Sequence, residues 1–215
     1  MDSEAWELFY VQILRDFGFS RAADEAVARD LDTRLGGTRA TDAELRDLLE
    51  GQEVTVAGNG PNLAAEIDDA GGVLVTADEA TTVALGRGLR PAILVTDLDG
   101  TVPDQVKAND AGAIVVVHGH GDNGPAVRQW APLFAGKTVA TTQSRPTGGL
   151  RNFGGFTDGD RAVFLADHFG AARIHLIGFD FEHPSPKDGD PRTKQRKLDW
   201  AYILLASLGR DDLEL

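Results

Sequence analysis

Six short apolar runs, rich in β-branched residues, are spaced along the chain with helical stretches between them: Val54–Val56, Val73–Val75, Ala92–Val95, Ala113–Val117, Thr138–Ala140 and Ile174–Ile177. A strand that is apolar on both faces must be covered on both faces, and the intervening segments are too long for hairpins. The pattern therefore demands a parallel sheet between two layers of helix, built from right-handed βαβ units. We expect an α/β, Rossmann-like parallel sheet with flanking helices over residues 52–208. Residues 1–50 read as a helical N-terminal extension. Trp6, Leu8, Phe9, Val11, Ile13, Leu14 and Phe17 mix helical spacings, and Ser20 and Thr41 stand at N-cap positions. Thr41-Asp42-Ala43-Glu44 is a capping box, and Gly51 stops the helix it opens. A last helix is expected from about Lys194 to Leu208, preceded by a polar loop at His183–Arg192 beside the site. Residues 1–215 thus read as a single α/β domain.

Composition narrows the partners. Lys and Arg total 21 against 34 Asp and Glu, a formal net charge of −13, and a pI near 4.7 argues against nucleic-acid binding, which needs a basic surface. The acids are mostly Asp (24, against 10 Glu) and the bases mostly Arg (16, against 5 Lys), the surface expected of a halophilic protein working in molar salt. The absence of cysteine excludes disulfides, Cys-ligated zinc and thiol catalysis. No apolar run approaches the roughly 18 residues of a membrane helix. The start, Met1-Asp2-Ser3-Glu4, is acidic where a signal peptide is basic, so a cytoplasmic protein without membrane contact is expected. A homo-oligomer is compatible with all of this.

In an open parallel sheet, ligands bind outside the carboxyl ends of the strands, and the polar motifs of this chain fall at those ends. They are Gly58-Asn59-Gly60, Asp78, Asp97-Leu98-Asp99, His118-Gly119-His120-Gly121-Asp122-Asn123, Gly154 to Arg161, and Gly178-Phe179-Asp180. The glycines at 58 and 60 either let backbone approach a phosphate or make a tight strand-to-helix turn. Asp97 and Asp99, two apart at a strand end, can face one cation, with Asp122 of the neighbouring strand as a third carboxylate. Hard oxygen ligands favour Mg²⁺. An Asx turn at Asp99-Gly100 is the structural alternative. His118 and His120 read as groups that orient phosphate or support the ligands, His168 as structural, and His175 as a buried strand histidine.

Two strings resemble other families. Val95 to Val102 resembles the D-x-D-G-T signature of haloacid-dehalogenase-like phosphatases, although two βα units precede it here. His118-x-His120-x-Asp122 resembles the ligand run of metallo-β-lactamase-like hydrolases, but Asn123 stands where that family has His, and the chain is βαβ throughout.

Taken in order, GNGPNL (58–63), ADEA (77–80), TDLDG (96–100), HGHGDN (118–123), GGFTDGDRA (154–162), GFDF (178–181) and KLDWA (197–201) resemble the archaeal 6-hydroxymethyl-7,8-dihydropterin pyrophosphokinases, the MptE-like proteins. One position departs: Glu79 stands where the family motif carries Gly. The resemblance implies a fold similar to the catalytic core of thiamin pyrophosphokinase and transfer of diphosphate from ATP to the pterin hydroxymethyl group, with release of AMP, in folate or methanopterin biosynthesis. It implies Mg²⁺ on Asp97, Asp99 and Asp122, and ATP against Gly58, Asn59, Gly60, His118, His120 and Asn123. Substrate would meet Asp78, Asp158, Asp160 and Arg161. Asp158 suits the amino-pyrimidine edge of the pterin, since a carboxylate accepts two N–H bonds in one plane. Asp160 and Arg161 serve equally as the cap pair of the next helix, and Lys197 either reaches phosphate or is solvated. A haloacid-dehalogenase-like phosphatase and a D-x-D nucleotide-sugar transferase are the alternative functions.

Overall fold

The computed structural model describes residues 3–184 and 190–215. Among them, seven strands form one sheet: β1 (Thr38–Arg39), β2 (Glu53–Ala57), β3 (Val73–Ala77), β4 (Ile93–Thr96), β5 (Ile114–His118), β6 (Lys137–Thr141) and β7 (Arg173–Ile177). All pairs are parallel and the order is β1-β6-β5-β4-β3-β2-β7. The six apolar runs are β2 to β7. Sequence reading does not find β1, a two-residue Thr-Arg edge piece with no apolar signal, which is added to β6 when Thr38 pairs with Lys137.

From β2 the chain steps outward to β6, then returns to lay β7 on the other side of β2. Right-handed crossovers in one direction place their helices on one face, and the reverse crossover places its helix on the other. The outward helices are α4 (Leu63–Glu66), α5 (Ala80–Gly86), α6 (Val102–Asp110) and α7 (Gly124–Trp130), joined by α2 (Arg21–Arg34). Ala28 and Leu31 of α2 share a core with Leu94, Val115, Val117 and Val127. The opposite face holds α8 (Asp158–His168), α9 (Pro191–Ala206), α1 (Ser3–Phe17) and α3 (Asp42–Leu49). There Tyr10, Ile13, Leu45, Phe164, Leu165 and Leu204 close over Val54, Val56, Val75 and Val95.

The N-terminal signals act as their chemistry predicts. Thr41 Oγ1 accepts from the Glu44 N–H at 3.2 Å while Glu44 Oε2 accepts from the Thr41 N–H at 2.8 Å. Gly51, at φ +69°, ends the run after α3. Two expectations need correction. His175 is exposed, not buried, because β7 is an edge strand and alternates exposed and buried positions. The last helix begins at Pro191, capped by Asp190, and so takes in part of the expected His183–Arg192 loop. Residues 185–189 of that loop lie outside the described residues.

Candidate active site

A cavity of about 260 Å³ opens at the carboxyl ends of the strands. The turn after β2 brings Gly58, Asn59 and Gly60, β3 brings Asp78, β4 brings Asp97 and Asp99, and β5 brings His120 and Asp122. The first turn of α8 supplies Asp158 and Arg161, and α9 supplies Lys194 and Lys197.

Three carboxylates converge here. Asp78, Asp97 and Asp158 each offer an oxygen, and these atoms all lie within 4.8 Å of one another. Each is held from a different direction. Asp78 has a left-handed backbone, φ +46°, uncommon for a residue with a side chain. Its Oδ1 accepts from Thr96 Oγ1 (3.0 Å), the Gly100 N–H (3.2 Å) and Gln105 Nε2 (2.8 Å). A β-carbon at Gly100 would collide with that carboxylate, so the glycine of TDLDG makes room for Asp78. Asp97 Oδ2 meets His120 Nε2 at 3.2 Å, and Asp97 Oδ1 is buried with no hydrogen-bond partner. Asp158 Oδ2 accepts from the Asp97 N–H at 3.2 Å, and Asp158 Oδ1 accepts from Arg161 Nη1 at 3.0 Å.

The charges are unequal. Burial, and then the charge of Asp97, push the Asp158 carboxyl well above its ordinary range despite Arg161. Burial also works against Asp97, but His120, Arg161 and Lys197 together outweigh it and hold that carboxyl low. Two adjacent carboxylates, one ionised and one driven to keep its proton, are the arrangement a cation relieves. With an orphaned carboxylate oxygen and all-oxygen donors, these residues fit a hard divalent ion.

The other predicted residues divide. Asp99 and Asp122 line the same cavity as exposed side chains, outside the three-carboxylate cluster. Gly58, Asn59 and Gly60 also line it. The Gly58 and Gly60 N–H groups, however, are spent on Ile177 O (2.8 Å) and Gly178 O (2.7 Å), so they are not available as phosphate donors. The glycines serve close packing: a β-carbon at either would fall within 2.7 Å of Gly178 O. His118 is buried and bonded to Thr141 Oγ1 (3.0 Å), and does not line the cavity. Asn123, also buried, ties two strand ends together, donating to Asp97 O (2.8 Å) and His118 O (2.7 Å). Asp160 completes a capping box with Thr157 and accepts from the Phe156 N–H at 2.8 Å, so its carboxylate holds the start of α8 and does not face the cavity.

Sequence reading assigned no role to Gln143, Phe179, Asp180 or Lys194, all of which line the cavity. Phe179 is wedged between glycines: its ring edge lies 3.0 Å from where a Gly58 β-carbon would sit and 3.2 Å from one at Gly159. The GFDF string held that signal. Gln143 had none.

The family model for 6-hydroxymethylpterin diphosphokinase MptE-like proteins matches residues 38–185. Three relatives named 6-hydroxymethyl-7,8-dihydropterin pyrophosphokinase match nearly the whole chain. The protein of Methanothermobacter thermautotrophicus is 46% identical over 98% of this chain and 97% of its own. That of Pyrococcus furiosus is 39% identical over 95% and 93%, and that of Methanocaldococcus jannaschii 33% over 100% and 98%. A solved structure, the MAf glycosyltransferase from Magnetospirillum magneticum AMB-1, is similar at TM-score 0.42 and 18% identity, covering 76% of this chain and 29% of that one, a likeness too loose to bear on fold or activity. With a family model matched across most of the sheet and full-length relatives at these identities, the chain belongs to the MptE-like family of 6-hydroxymethylpterin diphosphokinases.

Proposed function

We propose that the protein transfers diphosphate from ATP to the hydroxymethyl group of 6-hydroxymethyl-7,8-dihydropterin, releasing AMP, with Mg²⁺ as the working ion, in the cytoplasm of a salt-rich cell. The observation that carries the reading is the meeting of Asp78, Asp97 and Asp158 in a cavity that Lys194 and Lys197 also line. The hydroxymethyl oxygen attacks the β-phosphorus as its proton passes to water, the bond from that phosphorus to the oxygen bridging it to the α-phosphorus breaks, and AMP departs with that oxygen and its electron pair. Chemistry of this kind rests on positioning and on neutralising charge. Asp97, with Asp78 and Asp158, would hold Mg²⁺, and Asp99 and Asp122 add negative charge at its rim. Bound there, the ion supplies neutralisation of the polyphosphate. Lys194 and Lys197 draw the phosphates inward, Arg161 orients Asp158, and His120 orients Asp97. Phe179 offers a ring against which a planar heterocycle packs.

Turnover with MgATP and the reduced hydroxymethylpterin should give AMP and pterin diphosphate in equal amounts. Free phosphate from simple phosphomonoesters without AMP, or a phospho-aspartyl adduct at Asp97, would instead establish a haloacid-dehalogenase-like phosphatase. Asp97→Asn keeps volume but removes a charge from the cluster, and should lose on the order of a hundredfold in rate. Asp158 has two assignments to separate, the ion and the amino-pyrimidine edge of the pterin. The short reach to Asp78 and Asp97 favours the ion. Calorimetry on Asp158→Ala should therefore find MgATP affinity reduced and pterin affinity kept; the opposite outcome returns Asp158 to the pterin.

A further inference from the structure

The helices α1 and α2 precede the residues matched by the family model, and between them they place Phe19 in the cavity wall and pack behind the turn that carries His120 and Asp122. Asp24 of α2 is 2% exposed. Its Oδ2 accepts from the Tyr10 hydroxyl (2.7 Å) and from Gln143 Nε2 (2.8 Å), and its Oδ1 accepts from the Gly121 N–H (2.8 Å). Gln143 Oε1 in turn accepts from Arg161 Nη2 at 3.3 Å, and Arg161 holds Asp158. The turn that carries His120 and Asp122 rests on the same helix. A β-carbon at Gly119 would come within 2.9 Å of Ala28 Cα, and one at Gly121 within 3.1 Å of Ala23 Cβ.

We propose that Asp24 is a positioning residue for the reaction. It sets the direction of a hydrogen-bond relay, Asp24 to Gln143 to Arg161 to Asp158, and clamps the turn bearing His120 and Asp122. The inference rests on the diphosphate transfer proposed above. A buried carboxylate costs more than an apolar residue of the same size unless its acceptors are needed. Two groups need them here. The Gln143 amide can sit either way round, and only with its NH₂ on Asp24 does its carbonyl face the Arg161 guanidinium; turned over, it would set donor against donor. The Gly121 N–H is the second, and without Asp24 the tip of the His120 turn loses its bond to α2. Tyr10 stays a proton donor to Asp24, because burial first and then Asp24 itself raise its pKa.

The relay makes a swap testable. Asp24→Asn leaves volume unchanged but points an amide NH₂ at a donor. Gln143→Glu sets two carboxylates face to face. In the double variant the new amide at position 24 donates to the new carboxylate at position 143, whose other oxygen accepts from Arg161. The amide oxygen at position 24 still takes the Gly121 N–H. We expect each single variant of the full-length protein to lose at least tenfold in kcat with the KM for ATP changed less than threefold, and the double variant to recover most of the loss. Amide hydrogen exchange at residues 119–123, measured without substrate, should speed up at least tenfold in Asp24→Asn and return towards wild type in the double variant. Wild-type kcat in Asp24→Asn, or a double variant no better than the product of the singles, overturns the proposal. A wild-type protein that makes no pterin diphosphate defeats the proposed function alone. The exchange measurement then decides the role of Asp24, and unchanged exchange in Asp24→Asn overturns it. Should Asp24→Asn not fold, Gln143→Glu against the double variant gives the same comparison, and a double variant no more active or protected than Gln143→Glu overturns the proposal.

Discussion

Glu79 is the position at which the sequence resemblance leads one to expect glycine, and its carboxylate accepts from the Thr101 N–H at 2.7 Å and from Thr101 Oγ1 at 3.0 Å. It caps the start of α6 from the neighbouring loop. Its own φ of −62° is ordinary, and the left-handed residue of this turn is Asp78. Glu79→Gly should thus lower stability by about 1 kcal/mol, the usual worth of a cap, read as a urea midpoint, with turnover kept. His118 gives a pH prediction. Burial first, then Arg161 and His120, drive its pKa well below 6.5, so the folded chain holds it neutral while the unfolded chain protonates it. The unfolded state then binds more protons below its own pKa, and stability present at neutral pH is lost on acidification. Against His118→Gln, the wild-type advantage should shrink below about pH 6.5 by up to ~1.4 kcal/mol per pH unit. A difference flat with pH would show that His118 protonates in the folded state. At this scale the sequence was only partly legible. Asp97-x-Asp99 is visible because its members are adjacent in the chain, whereas the partners that meet Asp97, namely Asp78, His120 and Asp158, come from separate strand ends and a helix start.

The elements explain what the glycine-rich strings are for. GNG after β2 resembles a phosphate loop, but its glycines let the turn pack against Gly178 after β7, a contact that exists only because β7 returns beside β2. HGHGDN is shaped by α2 in the same way. Gly119→Ala should drive a methyl into the backbone of α2 and cost roughly 1–3 kcal/mol. Thermal unfolding would show that loss, and pterin turnover should fall with it as the His120 turn is displaced. An unchanged melting temperature would mean that α2 yields at that point. Six of the seven strands were readable because each is a short apolar run between helical stretches, although β7 turns out to be covered on one face only. β1 was not, since a two-residue polar piece carries no period, and His175 misled because no local pattern marks a strand as the edge of its sheet.

For the whole molecule, the net charge of −13 sets the conditions of stability. Self-repulsion of that size is screened within a few ångströms at molar salt and reaches much further in dilute buffer. Denaturation midpoints should rise steadily from dilute buffer to molar KCl; full stability in dilute buffer would make this an ordinary acidic protein. The overall α/β plan was legible from the alternation of runs, but the return of β7 to β2 was not, because nothing in the strand sequences encodes their order. That return has a consequence in time. β2 is made early and keeps one edge open until β7 emerges, and Asp24 waits for Gln143. Loops this long close slowly, and their entropy must be met before any late contact rewards it. During synthesis the acidic turns of β3 and β4 are present long before α8 and α9 bring Asp158 and the two lysines. A growing chain therefore lacks the three-carboxylate cluster and its flanking lysines until α8 and α9 have been made.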